Sequence, residues 1–95
     1  DYTPIQKAYQ RVNTLLKDST NKVYIHCLMG SDRTGTLLAA LFLKDKICNQ
    51  SYDSEILKNE LIQYLDEHSF HKCLYPNLYK TIVQWPIKTP AWLCR

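Results

Sequence analysis

Apolar residues recur at helical spacing over most of the chain, and this pattern predicts four α-helices. Thr3 caps the first helix and Pro4 occupies its first position, and the apolar repeat continues to Lys17. The second helix begins near Arg33 or Thr34. It is apolar on all sides, which is typical of a buried core helix.

Two further helices fill the second half of the chain. Asp53 or Ser54 caps the third helix, and the fourth begins near Tyr75-Pro76 and ends at Pro86. The tail, residues 87–95, is predicted to run extended along the surface.

One short segment, Lys22 to Cys27, is rich in β-forming residues and predicts a single buried strand. A strand without a neighbour leaves its backbone N–H and C=O groups unpaired, which is costly when they are buried. We therefore expect that the chain is the C-terminal half of a domain. The missing strands would come from an N-terminal segment or from a second chain.

Composition adds only mild constraints. The 95 residues are 45% hydrophobic and 22% charged, with a formal net charge of +3. This charge fits an anionic substrate but is too small to indicate nucleic-acid binding, and no apolar run is long enough to span a membrane. Four widely spaced cysteines without a Cys-x-x-Cys motif argue against a zinc site. We interpret all four as reduced thiols, which predicts a cytoplasmic protein.

The candidate chemistry lies in residues 26–35, between the predicted strand and the second helix. Cys27 would be a nucleophile as its thiolate, and the helix N-terminus, the loop N–H groups and Arg33 all favour that charged form. Arg33 would bind phosphoryl oxygens through its planar fork of donors. Gly30 permits a close backbone approach, and Gly35 permits close packing where the helix begins. The segment is therefore predicted to cradle a phosphate beside a nucleophile.

This segment resembles the signature of the cysteine-dependent protein tyrosine phosphatases, His-Cys-(x)5-Arg-Ser/Thr-Gly. Its Asp-Arg-Thr-Gly ending is similar to that of an atypical dual-specificity branch. The resemblance implies an α/β fold with a central sheet flanked by helices, of which residues 1–95 supply the C-terminal part of one catalytic domain. It also implies hydrolysis of phosphomonoesters through a cysteinyl-phosphate, without metal or cofactor. The residues implied are Cys27, Arg33 and Asp32 in catalysis, Leu28, Met29, Gly30, Ser31, Thr34 and Gly35 in substrate binding, and His26 in support.

The general acid that such phosphatases need is open at this point. Asp1 is too close to the cysteine along the chain, and Asp18 is predicted at the wrong end of the strand. Either Asp32 within the loop protonates the leaving group, or the acid lies in the missing N-terminal half. A proton supplied in this way is worth about 10²–10⁴-fold in rate.

The substrate class and the alternatives rest on fewer residues. By the same resemblance, phosphatases of highly charged inositol phosphates often carry basic residues in this loop, whereas Leu28, Met29 and Ser31 are neutral, which favours a phosphorylated protein or a small phosphomonoester. A phosphatase-like module that binds a phosphorylated partner with little turnover is the alternative. A sulfurtransferase or arsenate reductase is disfavoured by the position of Arg33. His68 and His71 lack a third ligand, so we interpret them as surface residues.

Overall fold

The computed structural model describes residues 3–23 and 32–94, and within these ranges the chain is helical. Its four helices are α1 (Thr3–Leu16), α2 (Asp32–Cys48), α3 (Ser54–Glu67) and α4 (Pro76–Ile82). All four predicted helices are confirmed, although α4 gives way to turns before Pro86 is reached. Within the same ranges, no helix has the length and apolar character needed to cross a bilayer.

The predicted α/β fold is wrong for the part of the chain that the structure describes. Residues 3–23 and 32–94 contain no strand, and Val23, in the predicted strand, lies in irregular structure. Residues 24–27 of that strand lie outside the described residues. Helix α2 packs against α1, α3 and α4, so its apolar surface is covered by helices rather than by a sheet. The expectation of further strands from an N-terminal segment or a second chain stays a prediction.

Helix α2 is the centre of the core, as its apolar sequence predicts. Its small residues Ala39 and Ala40 are completely buried and allow the neighbouring helices to approach closely. Large side chains from every other element surround it, and those in the core are Tyr9, Leu57, Leu61, Leu65, Phe70, Leu78, Tyr79, Ile82, Trp85, Trp92 and Leu93. Burying each such side chain contributes about 1.5–3 kcal/mol, so this cluster sets the position of α2.

The C-terminal tail is not extended along the surface, which corrects the prediction. It forms turns that bury Trp92 and Leu93 against the helices. The hydroxyl of Tyr9 in α1 donates a hydrogen bond to the carbonyl of Leu93 at 2.6 Å, and the ring of Trp92 meets the rings of Tyr9 and Trp85 edge-on. Pro86 and Pro90 lie just before and within the tail and favour turns, while the apolar area of Trp92 and Leu93 drives the tail inward.

A disulfide joins Cys48 at the end of α2 to Cys94 in the tail, with 5.4 Å between the Cα atoms. The prediction of four reduced thiols is therefore wrong for this pair. The inward-folded tail brings Cys94 to the end of α2, a proximity that sequence spacing cannot reveal. Cys73 is free and exposed, and Cys27 lies outside the described residues.

The connection into α3 is fixed by polar side chains. Asp53 is the N-cap, as predicted, and its Oδ1 accepts hydrogen bonds from the backbone N–H groups of Glu55 at 2.9 Å and Ile56 at 3.1 Å. The hydroxyls of Tyr52 and Ser54 both donate to the carbonyl of Pro86. These bonds tie the start of α3 to the turns that follow α4.

Candidate functional site

The described part of the candidate site is the first turn of α2. Asp32 is the first helical residue, one or two positions earlier than predicted, and Arg33 follows it. Both side chains are exposed, whereas Thr34 and Gly35 are buried. The helix starts within the predicted phosphate-binding segment, residues 26–35, and the first N–H groups of a helix are suited to an anion.

Six of the predicted site residues lie outside the described residues, namely His26, Cys27, Leu28, Met29, Gly30 and Ser31. Their roles stay predictions. Of the predicted catalytic residues, Asp32 and Arg33 are described. The structure brings these two together through their adjacent positions in the first turn of α2.

Asp32 and Arg33 line one cleft of about 300 Å³. Its walls come from the start of α1, the first turn of α2 and the face of α4, through the residues Pro4, Ile5, Asp32, Arg33, Thr36, Asn77, Leu78 and Thr81. The hydroxyl of Thr36 donates to the carbonyl of Asp32 at 2.6 Å, which reinforces the first turn. The cleft is thus open to solvent and carries an acid, a guanidinium and neutral hydrogen-bonding groups.

Gly35 is where α2 comes closest to its neighbours. A Cβ atom on this residue would lie 2.5 Å from Cδ2 of Leu78 and 3.0 Å from Cδ1 of Phe70. Leu78 and Phe70 are only 2% and 8% exposed, so both are already closely packed and would have to shift to accept a Cβ atom. The predicted close packing at the start of the helix is confirmed, and it fixes the turn that carries Arg33.

Tyr79 holds Phe70, one of these two neighbours, through a hydrogen bond. Its hydroxyl donates to the carbonyl of Phe70, and its ring is 3% exposed. Burial raises the pKa of Tyr79, with the nearby Asp66 and Cys73 adding to the effect, so the hydroxyl remains a donor at neutral pH. Tyr79 therefore packs among the helices and is not one of the residues that line the cleft with Asp32 and Arg33.

The residues that sequence reasoning missed are the supports of the first turn, Phe70 and Leu78. One signal pointed to them. A glycine inside a helix costs about 1 kcal/mol relative to alanine, so Gly35 implies a neighbour that tolerates no side chain. The sequence could not identify that neighbour, because both candidates lie more than thirty residues further along the chain.

The polar loop, residues 68–72, follows α3 and contains His68 and His71. Neither histidine takes part in a metal site among the described residues. Nδ1 of His71 lies 2.6 Å from Oδ1 of Asp66, and Nδ1 of His68 lies 2.7 Å from the carbonyl of Tyr64. Within residues 3–23 and 32–94, no group of three or more His, Cys, Asp or Glu residues could hold a metal ion. These contacts stabilise the loop that follows α3.

Residues 3–45 match the tyrosine phosphatase family, a span just under half of the chain that covers α1, the signature segment and most of α2. No solved structure matches the chain. The N-terminal part is therefore similar to tyrosine phosphatases, which favours a phosphatase function for the protein.

Proposed function

We propose that this protein hydrolyses phosphomonoesters with Cys27 as the nucleophile. The observation that carries the proposal is the position of the His-Cys-(x)5-Arg-Thr-Gly signature inside the segment that matches the tyrosine phosphatase family. The start of α2 at Asp32, within this signature, supports the same conclusion, because a helix N-terminus favours bound phosphate.

In the first step, the thiolate of Cys27 attacks phosphorus. The P–S bond forms as the bond from phosphorus to the leaving oxygen breaks, and that oxygen takes up a proton. Arg33 binds two of the phosphoryl oxygens through its guanidinium, which stabilises the charge of the transition state. The exposure of Arg33 in the cleft beside α1 and α4 leaves this side chain accessible to a substrate.

Asp32 is the general acid that this chain offers. Its exposed carboxyl lines the same cleft as Arg33, which supports this role. In the second step, water attacks phosphorus and passes a proton to the carboxylate, and the P–S bond breaks to release inorganic phosphate. Thr34 hydrogen-bonds the thiolate of Cys27 as it departs.

The substrate class that fits best is a protein phosphorylated on tyrosine. The loop side chains Leu28, Met29 and Ser31 are neutral and Asp32 is acidic. A highly charged inositol phosphate would need cations at these positions, whereas a single phosphoryl group needs only Arg33 and the backbone.

Steady-state hydrolysis of an aryl phosphate tests the proposal. We expect Cys27→Ser to lower kcat by about 10³-fold or more, because the hydroxyl of serine is not ionised at neutral pH. Cys73→Ser is the matched control, since Cys73 is free and exposed, and it should retain wild-type activity. Equal rates for wild type and Cys27→Ser would refute the mechanism.

The role of Asp32 has its own test. Asp32→Asn should lower kcat by about 10²-fold and abolish the basic limb of the pH–rate profile. An unchanged profile would place the acid elsewhere in the protein. Tight binding of a phosphopeptide with no turnover by the wild type would instead favour a module that only binds phosphorylated partners.

A further inference from the structure

A second concavity lies on the other side of α4 from the cleft that holds Arg33. It is a groove of about 520 Å³ between α3, the polar loop and α4. Its floor is largely apolar and includes Ile62 and Val83, and three lysines line it, Lys58, Lys72 and Lys80. A groove with an apolar floor and a cationic border has the chemistry to hold an extended acidic peptide.

Two of these lysines are available to a ligand. Nζ of Lys58 lies 3.0 Å from Oε2 of Glu55, so its charge is already partly satisfied. Among residues 3–23 and 32–94, no carboxylate forms an ion pair with Lys72 or Lys80, and both are exposed. The lining contains no acidic residue, which leaves the groove with an unbalanced positive charge.

The groove and the candidate catalytic cleft share one lining residue. Asn77, in the first turn of α4, lines both the groove and the cleft that contains Asp32 and Arg33. Helix α4 forms the wall between them, with Leu78 and Thr81 towards the cleft and Lys80 and Val83 towards the groove. A peptide that crosses α4 at Asn77 therefore reaches from one to the other.

We propose that this groove, built around Lys72 and Lys80, binds the acidic residues that flank the phosphorylated residue of a protein substrate. A helix is about 10 Å wide and an extended chain advances about 3.3 Å per residue, so acidic side chains about three positions from the phosphorylated residue reach the lysines. The inference rests on the proposed phosphatase function and defines its substrate class. A lipid surface is a poorer fit because the cations border a trough instead of a flat face.

The kinetic test compares two phosphotyrosine peptides in the full chain, one with glutamates about three positions from the phosphotyrosine and one with glutamines there. The double variant Lys72→Gln/Lys80→Gln should raise KM for the glutamate peptide about fivefold at low salt, with kcat unchanged. KM for the glutamine peptide and for an aryl phosphate should not change. The matched control is Lys17→Gln/Lys88→Gln, which removes two exposed lysines outside the groove and should leave every value unchanged.

A binding test separates this inference from the phosphatase proposal. Fluorescence anisotropy with an unphosphorylated, fluorescein-labelled poly-glutamate peptide does not require turnover. We expect Lys72→Gln/Lys80→Gln to raise its Kd about fivefold and Cys27→Ser to leave it unchanged. If the wild type hydrolyses nothing but this lysine-dependent binding persists, the phosphatase proposal fails and the groove binds acidic peptide without serving a substrate.

Three results would overturn the inference. Equal effects of the two double variants would show that only the overall charge of the protein matters. An unchanged KM and Kd in Lys72→Gln/Lys80→Gln would show that the groove does not bind the peptide. Loss of binding to phosphatidylserine vesicles in that variant, with peptide binding intact, would assign the lysines to a membrane surface.

Discussion

The two ends of helix α2 differ in almost every respect. At its C-terminal end, Cys48 is bonded to Cys94, and the tail that carries Cys94 is buried through Trp92 and Leu93. At its N-terminal end, Asp32 and Arg33 are exposed in an open cleft. One end is fixed by covalent and apolar contacts, and the other presents charged groups.

The difference fits the proposed role of Arg33. Burying an unpaired charge is costly, so a guanidinium proposed to bind phosphate has to stay accessible while its neighbours hold its position. Gly35 brings the first turn of α2 against Leu78 and Phe70. The exposed end of α2 is therefore held in place by the packing of the residues that follow it.

The largest loss of activity is expected for Arg33, at the exposed N-terminal end of α2. Arg33→Ala should lower kcat/KM for an aryl phosphate by about 10³-fold or more, since it removes the clamp on the transferred phosphoryl group. Arg33→Lys should restore little, because an ammonium cannot reproduce the fork. The control is Arg11→Ala, which removes another exposed arginine, on α1. If both alanine variants lose activity equally, Arg33 has no special role.

Removing the disulfide at the C-terminal end of α2 should lower stability without changing catalytic activity. Cys48→Ser/Cys94→Ser opens a disulfide that spans 46 residues and should lower the free energy of unfolding by about 4 kcal/mol. Urea denaturation measures this loss, and Cys73→Ser should show none. The activity per folded molecule should not change. A loss of activity without loss of stability would contradict the division between the two ends.

Substitution of Gly35 tests whether close packing of the first turn of α2 positions Arg33. Gly35→Ala should cost about 2 kcal/mol of unfolding free energy, because its new methyl group meets Leu78 and Phe70. It should also lower kcat/KM by displacing Arg33. Leu78→Ala removes the closest obstructing atom, so the double variant should be more stable than the sum of the single effects allows. Strict additivity would mean that the contact does not hold the turn.

The smallest effect is expected at Asp53, the N-cap of α3. Asp53→Ala should lower the free energy of unfolding by about 1 kcal/mol, since the N–H groups of Glu55 and Ile56 lose their acceptor. Asp53→Asn should keep most of the stability because its side chain retains a carbonyl oxygen. Neither change should alter kcat. Thermal unfolding and steady-state assays of the same samples provide both measurements.

Local signals in the sequence predicted the helices well. Pro4, Asp53 and Pro76 act within one turn of their own positions, so each marks a helix start without knowledge of the fold. The all-apolar character of α2 predicted its burial, and Gly35 predicted close packing. All of these effects depend on residues near one another in the chain.

Features that depend on distant residues were not predictable. The bond from Cys48 to Cys94 requires the tail to fold inward, and Pro90, the proline of the tail, gave no sign of that path. The α/β expectation came from a resemblance and one β-rich segment, whereas in residues 3–23 and 32–94 helices and turns, with no strand, cover the apolar faces. The neighbours of Gly35 were hidden for the same reason.

The central claim, that Cys27 forms a covalent phosphoryl intermediate, is tested most directly by rapid-quench kinetics with a radiolabelled aryl phosphate. The account predicts a burst of product equal to the enzyme concentration, with the phosphoryl label on the peptide that contains Cys27. Cys27→Ser should show neither burst nor label. Steady turnover without a burst, with no label on Cys27 and full activity in Cys27→Ser, would contradict it.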